Sequence, residues 1–205
     1  MAFRADYWLI SIYYDHTSVG VYAQASKFAQ LLWIIPGVLA GLLVPALKNK
    51  DEKLSDLKLI SLCRMSFYIH VALSILLIIA AVIIYKFFLP PIYFEGFLSL
   101  LIMVPGYLFY TFTIILAGYF SANRLLKVNL FGSILCCGLI LLFDFLFIPF
   151  LSYNGAAIAN LIAYSITTIY VITRSKEKFR ISFRELLNFK KSDFDIFSDQ
   201  VIKNI

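Results

Sequence analysis

Twenty consecutive residues, Phe28 to Leu47 in FAQLLWIIPGVLAGLLVPAL, carry no charge. A helix rises about 1.5 Å per residue, so this run reaches across about 30 Å, the thickness of a bilayer's hydrocarbon core. Comparable apolar segments occupy 65–89, 96–120, 125–148 and 155–173. With the turn that leads into it, the first becomes a span over 19–47, and a shorter aromatic segment at 3–14 reads as a partial span. At 61% hydrophobic and 15% charged residues, the chain lies outside the range of water-soluble domains. Strands in lipid would alternate over about ten residues, and runs such as VALSILLIIAAVII do not. The expected fold is all-α: a polytopic transmembrane helix bundle over 1–173, with five full spans and one partial one, followed by a basic tail at 174–205.

Orientation follows from the basic residues, which collect on the cytoplasmic side of membrane proteins. Arg4, the connection 48–64, the connection 121–127 and the tail from Arg174 hold every Lys and Arg except Lys27 and Lys86. These alternate correctly with the spans, so they are expected to be cytosolic, with the tail among them. No secretory signal precedes the first segment, and the spans themselves are expected to direct insertion. The net charge of +6 is spread over helix ends rather than one soluble face, which argues against nucleic acid and for contact with membrane lipids. In the tail, Phe183, Leu186 and Leu187 recur at helical spacing among basic residues, which suits a short surface helix as well as it suits a solvated tail.

Chemistry of the enzymatic kind is not expected. Cys63, Cys136 and Cys137 form no disulfide framework, His16 and His70 stand alone, and no nucleophile motif, metal-ligand spacing or phosphate-binding glycine loop occurs. Neither a catalytic residue nor a cofactor or metal is assigned. Gly37 and Gly41, and the series Gly155, Ala159 and Ala163, place small residues four apart, where helices in lipid approach closely. Pro36, Pro45 and Pro105 lie in or at the ends of spans, where they permit kinks.

The order of these signals is recognisable. FRADYWLISIYY, then VGVYAQASKFAQLLWIIPGVLAGLLVPAL, then a charged connection, then ILAGYFSANRLLKVN and FLFIPFLSYNGAAIANLIAYS, resembles the C-terminal half of bacterial polysaccharide-biosynthesis flippases. These belong to the multidrug, oligosaccharidyl-lipid and polysaccharide exporter superfamily. The resemblance covers residue 3 to about 173: Arg4 and Asp6 opening a span, Val19, Gly20 and Tyr22 turning into the next, Ile35 and Pro36 within it, Pro45 ending it, and Ile148 and Pro149 before Asn154 to Ala159. It implies a transporter in the bacterial cytoplasmic membrane that carries an oligosaccharide linked to polyprenyl diphosphate between leaflets by alternating access. Such proteins have two six-helix halves, so a missing N-terminal half, or partner proteins of polysaccharide assembly, is expected. A non-transporting remnant or scaffold of that machinery, or a multidrug exporter of the same superfamily, is the alternative. Asp144 departs from the pattern, which carries Asn or an apolar residue near that point.

Ionisable residues inside spans are functional candidates by default. Lys27 lies about 12 Å into its span, with Gln24 and Gln30 three residues to either side on one face. Together with Arg4 they are the candidate substrate-binding residues, a cation being what a diphosphate needs in an apolar protein. The same lysine could instead snorkel to the headgroups. Asp6 and Asp144 are candidates for ion coupling. Their plainer readings are an ion pair with Arg4 and a carboxylate at the membrane boundary. Asn160, Tyr164 and Thr167 give the last span a polar stripe, which could line a cavity or bond to another helix.

Overall fold

The chain is described by a computed structural model covering residues 5–46, 52–179, 181 and 183–187. Within these residues it is helical, and no strand occurs. The helices are α1 (Ala5–Tyr13), α2 (His16–Leu31), α3 (Ile34–Ala46), α4 (Glu52–Phe87), α5 (Phe97–Ala122), α6 (Leu126–Phe179) and α7 (Phe183–Leu187), with a 3-10 turn at Pro91–Gly96 before α5. Four stretches are long and apolar enough to cross a membrane: His16–Leu42, Asp56–Phe87, Pro91–Ala122 and Leu126–Phe179.

The expected span over 19–47 is a broken helix. Pro36 has no N–H, and its ring crowds the carbonyl four residues back, at Leu32. There the ladder tightens: Leu32 N–H donates to Ala29 O at 3.1 Å and Trp33 N–H to Gln30 O at 3.0 Å, before α3 resumes. α2 itself starts at a capped end, where the Asp15 carboxylate accepts from Ser18 N–H at 2.8 Å.

α6 would be about 80 Å long if straight, far more than a bilayer. It is a hairpin. Ser152 has φ 52° and ψ −140°, a left-handed conformation that breaks the helix three residues after Pro149 and divides it into legs 126–151 and 153–179. Gly132 faces Tyr170 and Val171 across the hairpin, so the legs run antiparallel. At the bend they approach too closely for any side chain at Gly155, where a Cβ would lie 2.5 Å from Phe147 O. The stripe that Gly155 opens is therefore a packing face, and Ala159 and Ala163 are wholly buried along it. The other pair behaves differently: nothing lies within 4 Å of a Cβ built at Gly37 or Gly41.

α5 fits into this hairpin, with Gly106 against the backbone of Leu161. Around it are two apolar clusters. One joins Tyr22, Met103, Tyr107, Ile140, Ile148 and Tyr164. The other joins Leu59, Leu62, Phe112, Phe120, Ile172 and Leu186. The second includes residues beyond the apolar runs. α4 begins at Glu52, well before residue 65, and Asp56 there accepts from the Tyr119 hydroxyl at 3.1 Å. Arg64 is buried, and its Nε donates to Glu185 O at 2.5 Å, which holds α7 against α4 with Leu186 fully buried. The outer surface is apolar, with Trp8, Ile34, Leu42, Leu76, Leu130, Leu142 and Phe150 all exposed.

Candidate functional site

An acid inside an apolar bundle loses its water and must find partners, or it remains at high energy. Asp6, near the start of α1, has found them. Its carboxylate accepts from the Tyr22 hydroxyl of α2 at 2.6 Å and from Tyr7 N–H at 2.9 Å. The Tyr22 oxygen in turn accepts from Asn160 Nδ2 of α6 at 2.8 Å, and that amide also donates to Ala156 O at 3.1 Å. Three helices are thus joined through one tyrosine hydroxyl. Beside this group the Tyr7 hydroxyl is hydrogen bonded to Ser26.

Asp144 has no such arrangement. It is 0% exposed, and neither carboxylate oxygen has a hydrogen-bond partner. It lies close enough for its charge to act on both Asp6 and Tyr22. Asp144 lies inside the bundle rather than on its surface: the first leg continues to residue 151, and the Tyr14 hydroxyl, just after α1, donates to Pro149 O at 3.1 Å. Two acids far apart in the sequence, Asp6 and Asp144, are therefore both buried and near enough to influence each other electrostatically. Two negative charges in such a place would repel each other.

Below the acids lies an aromatic group built on the α2–α3 break. Trp33 stacks on Tyr107 at 4.6 Å between ring centroids, and Tyr164 meets Tyr107 edge to face at 5.3 Å. Tyr110 closes the group at 4.7 Å from Tyr164.

The other sequence candidates lie elsewhere. α2 turns Tyr22, Ala25, Ser26 and Ala29 inward, which leaves Lys27 on its exposed side. Gln24 and Gln30 are half-buried at the edges of that face. Lys27 is therefore not part of the acid cluster. Arg4 is outside the described residues. Of the polar stripe, Asn160 is 5%, Tyr164 1% and Thr167 1% exposed, and all three face the bundle's interior. His70, expected to stand alone, is buried and hydrogen bonded to Thr111. Tyr22 was missed as a site residue because an aromatic residue in a span reads as packing. A signal existed: Asp6 and Asn160 both need partners in an apolar span, and a tyrosine can both donate and accept.

Comparison with protein-family models, with curated proteins and with solved structures finds no match to this chain.

Proposed function

We propose that the chain is a membrane-embedded transporter module, with five spans and one partial span, driven by cation exchange at Asp6 and Asp144. The observation that carries this reading is Asp144, a wholly buried carboxylate without a hydrogen bond beside a second buried acid. A bundle selected only for stability has no use for such a residue, since an apolar side chain of similar size would be better tolerated there. Secondary transporters do have a use for it, because binding and release of a cation can bias which side of the membrane is open. A passive scaffold in polysaccharide assembly leaves Asp144 unexplained.

For the cargo, the reading is an oligosaccharide linked to polyprenyl diphosphate, moved out of the bacterial cytosol with the tail on the cytosolic side. Its support is the resemblance in motif order and the face of Gln24, Lys27 and Gln30. That face is polar, with Lys27 exposed and Gln24 and Gln30 half-buried in this chain, an unfavourable arrangement against lipid and a favourable one against a water-filled cavity. A complementary half, or a second copy, would supply the opposite wall.

Export of surface polysaccharide in a flippase-deficient strain supplied with this chain and a complementary half tests the assignment. Lys27→Ala is expected to abolish export at unchanged membrane abundance, with Lys27→Arg retaining much of it and Lys27→Gln failing. Normal export by the alanine variant would remove Lys27 from the cargo site and return it to the headgroup region.

A further inference from the structure

Between α5 and the α6 hairpin lies a cavity of about 240 Å³ that the acid cluster does not include. Tyr110, Thr113, Ser121, Asn129, Ser133 and Thr167 line it, over a floor that includes Gly132. No charged residue takes part. Ser121 and Asn129 flank the α5–α6 connection, so this end lies near the helix termini, whereas Tyr110 lies roughly 16 Å deeper along α5. The wall is incompletely satisfied: Thr167 Oγ1 and Asn129 Oδ1 are buried without a hydrogen-bond partner. Thr167 lines this cavity although its side chain is only 1% exposed, with its hydroxyl beside the Cys136 thiol. A polar cavity of this volume has room for several waters, which the hydroxyl and amide groups of its lining can hold.

The same wall leads to the acids along both legs of α6. In the first leg, Gly132, Cys136, Ile140 and Asp144 recur every four residues, and all are buried. In the second, Thr167, Tyr164 and Asn160 descend the facing side, so the stripe seen in the sequence joins the cavity to the Asp6–Tyr22–Asn160 chain. Cys136, Ile140 and the Tyr164 ring lie between the two regions, which are about two helical turns apart along the second leg and about three along the first.

We propose that this cavity is an aqueous vestibule through which a proton exchanges with Asp144 from the α5–α6 connection end. The inference rests on the cation-coupling reading and deepens it by naming the ion. A sodium ion would have to pass Ile140 and Tyr164 with its ligands, whereas a proton moves along hydroxyls and water. In the exchange, Asp144 releases its proton, which passes the Ile140 and Tyr164 layer along hydroxyls and water to the vestibule, and its carboxylate later takes one back by the same route, with no other reactant. The groups nearest this exchange are Asp6 from α1 and Tyr22 from α2, with Tyr107 of α5 beside Asp6, and Tyr164 and Cys136 of α6 along the route.

The test uses the full chain in proteoliposomes, with Cys63, Cys136 and Cys137 replaced by serine. Thr167→Cys is expected to react with a membrane-impermeant cationic thiol reagent added from the α5–α6 connection side, and Ile140→Cys to resist it. Adding Ser133→Trp, a plug on the exposed rim, is expected to slow the Thr167→Cys reaction by about tenfold or more. The same plug is expected to slow, by a similar factor, the response to a pH jump of the carboxyl infrared band that Asp144→Asn removes. An unreactive Thr167→Cys in a monodisperse protein overturns the vestibule. Labelling that Ser133→Trp slows, with an unchanged pH-jump rate, overturns the route while leaving the coupling site standing. Absence of any carboxyl band removed by Asp144→Asn overturns the coupling reading and the proton route with it.

Discussion

Asp144→Asn is expected to abolish cation-driven transport, by at least about a hundredfold, without lowering the protein's stability. The two halves of this expectation come from one fact. In the native bundle the Asp144 carboxylate is fully buried and accepts no hydrogen bond, so nothing in the fold depends on it. Removing a buried acid that has no partner relieves a desolvation penalty of about 1–3 kcal/mol. Asp144→Leu, which also removes the polar atoms, is expected to raise the thermal midpoint in detergent further still. A structural residue shows the opposite pattern, with activity lost only as the fold is lost. Transport in proteoliposomes, measured beside a thermal melt of the same preparations, distinguishes the two.

Tyr22→Phe should have the reverse balance. Its hydroxyl donates to Asp6 at 2.6 Å and accepts from Asn160 at 2.8 Å, so deleting one oxygen removes two hydrogen bonds. The ring remains packed against Tyr7 at 5.4 Å, which keeps the loss polar rather than steric. Asp6 keeps the Tyr7 N–H and the nearby Asn160 amide, and loses its shortest hydrogen bond. A hydrogen bond to a buried charged group contributes about 1.5–3 kcal/mol. The expected result is a clear fall in thermal midpoint, together with impaired coupling because Asp6 is no longer held toward α6. Tyr22→Phe combined with Asp6→Asn should recover part of the stability, since no charge is then left unpaired. Melts of the two single variants and the double variant form the cycle that measures this interaction.

How far the fold could be read from the sequence depended on which physical signal each feature leaves. Membrane length leaves a local one. The uncharged runs correspond to helices, and the expected break between 148 and 155 lies where Pro149 and Ser152 divide α6. Gly155 was legible for the same reason, because small residues at four-residue spacing mark close contact. Helix outside the apolar runs leaves no hydropathy signal. Thus the charged segment 48–64 read as a connection, although α4 begins within it at Glu52 and is anchored there by Asp56 and Arg64. The direction a side chain faces is harder again. Gln24, Lys27 and Gln30 do share one side of α2, but the deep partner of Asp6 is Tyr22, on the other side. That pairing joins residues 16 apart, and the link to Asn160 joins residues 138 apart, so no periodicity could disclose it. Counting from the end of a span says nothing of burial within the bundle, so the burial of Asp144 under α1 and the hairpin has no signal in the sequence.

Chemical modification of Asp144 tests the central claim most directly. Dicyclohexylcarbodiimide enters apolar sites and reacts with protonated carboxyl groups there, and the modified residue can be identified by peptide mass spectrometry. If Asp144 and Asp6 form a site that exchanges a proton, the purified chain should be modified at Asp144. That modification should decline as pH rises and should be unaffected by sodium at constant pH. Protection by sodium instead would keep the coupling site and replace the proton with a metal cation. Failure of Asp144 to react at any pH, or reaction indifferent to both pH and sodium, would contradict the account.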